Sequence, residues 1–112
     1  MTQINVEYAR KNEGYYYGDG TADLAEAVAR AASRYKRPKK RAEAVHETIR
    51  LFCAREGLKP DIETFLRPER TGWRVSWESG PYSWAIVASE ALCQCGIFAE
   101  PHYNFDLCFY AE

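Results

Sequence analysis

No apolar run in this chain approaches the roughly 20 residues that span a bilayer, and the first residues lack the apolar stretch of an export signal. The expected setting is therefore cytoplasmic, without membrane contact. Phosphate-cradling glycine signatures are missing too. Neither G-x-x-x-x-G-K-[ST] nor G-x-G-x-x-G occurs. The G-x-S-x-G elbow of serine hydrolases is also missing. Histidine is scarce, at two residues, which leaves few general bases. Neither sign of charge is in excess: 15 Lys and Arg against 16 Asp and Glu give a net −1, so no global field selects a partner. Repeats, linkers and low-complexity tracts are absent.

What is present is a globular composition, 46% hydrophobic and 28% charged over 112 residues. That length predicts a single domain, 1–112, which buries roughly two-thirds of its unfolded surface without staples. Cys53, Cys93, Cys95 and Cys108 have the number for two disulfides, but a reducing compartment favours four thiols packed as small hydrophobes. Charge is unevenly spread along the chain. Residues 1–41 carry nine Lys and Arg against five Asp and Glu, and residues 42–112 carry six against eleven.

The stretch from Gly72 to Tyr110 reads as the structural heart, with all three tryptophans. Trp73, Val75 and Trp77 alternate with Arg74, Ser76 and Glu78, a strand with one wet face. Ser79-Gly80-Pro81 is a sharp corner. Pro81 to Cys95 then reads as a helix with Trp84, Ala88, Ala91, Leu92 and Cys95 on one face, ended by Gly96 with Ile97 as its hydrophobic follower. Tyr82 to Ala88 as a strand is the competing reading. The same helix carries a second apolar stripe, Tyr82, Ile86 and Cys93, so it is expected to be buried on two sides or to display a patch. Ile97–Glu100 reads as a short strand interrupted by Pro101, and Tyr103 to Phe109 as a last strand.

Upstream, Ile4, Val6 and Tyr8 alternate and predict a strand over Met1–Arg10, forming a hairpin with Tyr15–Tyr17. Thr21–Tyr35 predicts a helix capped by the Thr21 hydroxyl, with Leu24, Val28, Ala31 and Tyr35 as its stripe. Pro38–Glu56 predicts a second helix on Ala42, Val45, Ile49 and Phe52, stopped by Gly57 and Pro60. Asp61–Arg70 suits a short helix or irregular turn, although DIETFL also suits a strand. The predicted fold is α+β: a small, mainly antiparallel sheet packed against a helical hairpin plus one further helix. A parallel pairing of the strands flanking that helix is the rival.

Each candidate chemistry competes with an ordinary structural reading. Cys93, Cys95, His102 and Cys108 offer zinc-type donors. On a helix, however, Cys93 and Cys95 point about 160° apart, and Cys108 and His102 on one strand would lie roughly 20 Å apart. Packing thiols are the better account, and no metal or cofactor is expected. His46 and Cys53 lie two turns apart, roughly 10 Å, too far for a nucleophile and its base. Ser79 and Ser83 read as corner and cap residues. Glu78, Glu90 and Glu100 are the carboxylates a small hydrolase would use. Gly18-Asp19-Gly20-Thr21 opens a helix and reads as a capping loop more readily than an anion site. No catalytic residue is assigned.

The strongest remaining signal is the basic connector Arg34, Tyr35, Lys36, Arg37, Lys39, Lys40 and Arg41. Such a cluster neutralises phosphates and releases counterions, and an adjacent aromatic ring stacks on bases. The competing account is a solvated turn whose cations suit the negative end of the preceding helix. The second signal is aromatic excess, with Tyr15, Tyr16, Tyr17, Tyr82 and Ile86 as the residues to display at an interface. The expected function is thus a non-catalytic binding module that contacts nucleic acid or an acidic protein face through residues 34–41. The alternative is an accessory or inhibitor protein of mobile-element type, binding a protein partner or dimerising through the Tyr/Trp surface.

Overall fold

The computed structural model describes residues 6–14, 17–55, 61–67, 70–76, 82–102 and 106–111, with β1 and β2 defined by backbone path and register. The element order is α1 (Val6–Lys11), α2 (Thr21–Arg34), α3 (Pro38–Arg55), β1 (Asp61–Arg67), β2 (Arg70–Ser76), α4 (Tyr82–Gln94), β3 (Ala99–His102) and β4 (Asp106–Ala111). The four strands form an antiparallel sheet in the order β1-β2-β4-β3. The expected α+β class therefore holds. β2 and β3 run in the same direction, but β4 lies between them, so the parallel pairing does not form.

α4 is the centre of the packing. It lies against α2 on one side and against β3 and β4 on the other, while α3 joins α2 to β4. Its sequence, YSWAIVASEALCQ, is apolar nearly all round, which is what a helix between two layers requires. Trp84, Ala85, Val87, Ala88, Ala91 and Leu92 are all buried. They meet Leu24, Val28 and Ala32 of α2, Val45, Ile49 and Phe52 of α3, and Phe109 of β4 in one core cluster. Each fully buried Leu, Ile or Val contributes about 1.5–3 kcal/mol. The helical hairpin thus covers α4 more than it covers the sheet. Among the described residues, no helix is long and apolar enough to cross a membrane.

Two stop signals act as the sequence implies. Pro38 opens α3. Gly96 takes φ 87 after α4, the Ile97 amide donates to the Leu92 carbonyl and the Gly96 amide to the Cys93 carbonyl, both at 3.0 Å. That pair of bonds is a Schellman stop, with Ile97 buried behind it. The predicted stop of α3 at Gly57 and Pro60 lies outside the described residues, as do the Ser79-Gly80-Pro81 corner and Tyr103–Phe105.

Four expectations are corrected. Val6–Lys11 is a helix, not part of a strand. Its Val6 and Ala9 pack on the core at helical spacing while Tyr8 is exposed, so packing against α2 overrides a three-residue alternation. Residues 1–5, Tyr15 and Tyr16 lie outside the described residues. Asp61–Arg67 is a strand, not a helix or turn, because it pairs along its whole length with β2. Pro101 sits inside β3 rather than interrupting it, tolerated because β3 is an edge strand.

The fourth correction concerns the start of α2. The N-cap is Gly20, at φ 87, and Thr21 makes no capping bond. Instead the Glu13 carboxylate accepts from the Gly20 amide at 3.2 Å and the Ala22 amide at 2.9 Å. The Thr21 hydroxyl faces the core, donating to the Gly18 carbonyl at 2.6 Å and lying 2.8 Å from the Ser83 hydroxyl.

Candidate anionic-partner interface

The turn between α2 and α3 is shaped by two local constraints. Tyr35 leaves the helix in extended conformation, at φ −122 and ψ 158. Pro38 then sterically disfavours helical backbone at Arg37 while starting α3 itself. The three residues Tyr35, Lys36 and Arg37 therefore stand out between two helix ends. Ser33 to Lys40 are all exposed, Tyr35 at 43%.

Arg41 does not belong to this display. Its Nε donates to the Ala32 carbonyl at 2.7 Å, and Nη2 donates to the Cys95 carbonyl. Both acceptors belong to the C-terminal ends of helices, α2 and α4, where orphan carbonyls concentrate negative partial charge. The planar fork of Arg bridges both, so Arg41 is a structural tie between helix ends. Its removal from the predicted set leaves Arg34, Lys36, Arg37, Lys39 and Lys40. Among the described residues, no carboxylate forms an ion pair with any of these five.

The starts of α2 and α3 differ. At α2, the Glu13 carboxylate fills the amide cluster, so the Gly18–Thr21 loop offers no room for an outside anion. At α3, the first turn contains no acidic residue. Pro38 has no amide proton, and the Lys39 and Lys40 amides have no acceptor among the described residues. Lys39 and Lys40 thus add positive side chains to the positive end of an 18-residue helix. This arrangement opposes folding electrostatically, and an anion bound there would relieve it.

The other candidate residues are dispersed. The Cys93 thiol donates to the Ala99 carbonyl of β3 at 3.2 Å, and the Cys95 thiol faces the Ala29 carbonyl of α2 at 3.7 Å. The two point at opposite neighbours, as helical geometry requires. His102 and Cys108 are not on one strand, as expected from the sequence. Register puts His102 opposite Asp106, and Cys108, which is buried, opposite Glu100 on one side and Arg74 on the other. An arginine position directly opposite is poor company for a metal cation. His46 is half-buried on α3, two turns from the buried Cys53. Glu90 is exposed, and Glu78 lies outside the described residues.

Ser83 is buried and held by Thr21 and by the Gly18 amide, which donates to its oxygen at 2.9 Å. Of the aromatic set, Tyr17 is half-buried and meets Tyr8 edge to face at 6.0 Å between centroids. Burial raises the pKa of the Tyr17 hydroxyl, with Tyr8 and Glu90 adding to it. Ile86 is half-buried against the core. The side chains of Tyr15, Tyr16 and Tyr82 lie outside the described residues.

Sequence reasoning missed the role of Arg41, because both carbonyls it reaches are tertiary neighbours. It also passed over Glu13, although a lone carboxylate just before a glycine-rich helix start was a usable signal. Comparison of the chain with protein-family models, with curated proteins and with solved structures returns no match.

Proposed function

We propose that the protein is a non-catalytic binding module that holds a polyanion, nucleic acid in the first instance, at the turn between α2 and α3. The observation that carries this reading is the uncompensated cluster Arg34, Lys36, Arg37, Lys39 and Lys40, exposed and without carboxylate partners among the described residues. Three features support it. The open amides of Lys39 and Lys40 suit phosphate oxygens. Tyr35 presents a ring between cations, suited to stacking on an unpaired base. The absence of acids in the first turn of α3 is the reverse of what helix stability alone favours.

The test is fluorescence anisotropy with a labelled single-stranded oligonucleotide across a salt series, for the natural chain and for Arg37→Glu/Lys39→Glu/Lys40→Glu. Binding is expected to weaken as salt rises, and the triple variant to flatten the log–log salt slope by about 2 to 3. Heparin, which lacks bases, and Tyr35→Ala separate charge from stacking. Unchanged binding by the triple variant would sink the proposal. Binding to an acidic protein face but not to oligonucleotides would transfer the same surface to a protein partner.

A further inference from the structure

The two edges of the sheet are unequal. β3 is four residues long with Pro101 inside it, and a short, proline-bearing edge is a poor template for a further strand. β1 runs for seven residues, Asp61–Arg67, with no proline among them. α3 and α4 pack on the β3–β4 half of the sheet, and no helix makes more than marginal contact with β1 or β2 among the described residues. Among the described residues no strand or helix covers the outer edge of β1, and an open edge is a template for another strand.

The sequence of β1 is complementary to itself. We infer that β1 pairs antiparallel with β1 of a second copy of this chain, about a two-fold axis through Thr64. That register aligns all seven residues. It places Asp61 opposite Arg67 of the partner subunit, Ile62 opposite Leu66 of the partner subunit, and Thr64 opposite Thr64 of the partner subunit. Because paired residues are separated by even numbers, each sheet face continues as the same face across the junction. The result is an eight-stranded sheet with both helical layers on one side, joined by an isologous contact.

The charge pattern within one subunit favours this partner over others. Arg67 holds the register position opposite Arg70 in β2, so two arginine positions share that end of the β1–β2 ladder. At the other end, Asp61, Ser76, Asp106 and His102 occupy one cross-strand row, with Asp61 at the β1 edge and His102 at the far edge. β1 itself thus begins at an acidic position and ends at a basic one. Two-fold pairing brings each acidic end beside a basic end of the other copy. A two-fold axis through Glu63 would instead set Glu63 against its own copy, and one through Phe65 would pair only five residues.

Sedimentation equilibrium on the full chain tests this. The natural protein is expected to be a dimer. Arg67→Asp, which puts two carboxylates at each end of the junction, should weaken the dimer about tenfold or more. The exchange Asp61→Arg/Arg67→Asp should restore the natural affinity to within about threefold, which a misfolded variant would not do. A chain that stays monomeric at every concentration overturns the inference. So does a dimer indifferent to Arg67→Asp, or a loss that the exchange variant fails to repair.

Discussion

The hydroxyls of Thr21 and Ser83, 62 residues apart in sequence, lie 2.8 Å apart in the buried joint between α2 and α4. Thr21 spends its proton on the Gly18 carbonyl and Ser83 accepts from the Gly18 amide, so Ser83 must donate to Thr21. The three groups close a ring of hydrogen bonds that begins and ends on Gly18. Ser83→Ala opens that ring and strands the Gly18 amide. It should cost about 1–3 kcal/mol in urea unfolding. A double-mutant cycle with Thr21→Val should show coupling between the two sites, since each single change already breaks the same ring.

Gly20 adjoins this ring and is constrained twice. Its φ of 87 is left-handed, and a Cβ there would lie 3.2 Å from Cζ2 of Trp84 and 3.6 Å from the Phe52 ring. The indole cannot easily give way, because its nitrogen donates to the Asp19 carbonyl at 2.9 Å and its ring meets Phe52 edge to face. Gly14 shares the left-handed conformation, at φ 83, but has nothing within 4 Å. Gly14→Ala should therefore cost only the conformational term, about 1–2 kcal/mol. Gly20→Ala should cost clearly more. Equal losses in chemical denaturation would show that Trp84 does not crowd the site.

The basic turn makes an uncommon demand, namely that one substitution should raise stability while lowering affinity. Lys40→Glu replaces a cation at the positive end of α3 by an anion. It should stabilise the fold by about 0.3–1 kcal/mol and raise Tm by about 1–5 °C. The same change should weaken polyanion binding. Calorimetry and anisotropy on one preparation decide the matter, and a fall in both quantities would remove the electrostatic account of the turn.

Glu13 supplies the converse case. Its carboxylate holds the first amides of α2, so Glu13→Ala should cost about 0.5–2 kcal/mol, in the range of a lost helix cap. The vacated amide cluster then becomes a site for an outside anion. Added sulfate should raise the Tm of Glu13→Ala more than that of the natural chain. Equal sulfate responses would mean that Glu13 does not fill the helix start.

These positions also mark where sequence reasoning holds and where it stops. Pro38 and Gly96 are legible because each acts on its own backbone, whatever surrounds it. The strand read over Trp73–Glu78 is legible because apolar and polar residues alternate there, and β2 takes in Trp73–Ser76 of it. Val6–Lys11 is not, since six residues cannot establish a period and the surface of α2 decides between them. Asp61–Arg67 mixes apolar and charged residues without a clean alternation, and only its pairing with β2 resolves it. At the candidate interface, five of the six predicted cations remain exposed. Arg41 departs because its two carbonyl acceptors, nine and 54 residues away, come together only in the folded chain.

The placement of α4 governs how the molecule comes apart. A helix with one layer against each flank leaves no seam along which the chain divides into self-sufficient halves. Cutting the chain ahead of Tyr82 would strand α2 and α3 without the surface they close on, and would leave β4 without its β2 neighbour. Dissolution of the fold is thus expected as one concerted event, with tryptophan fluorescence and far-ultraviolet dichroism falling together.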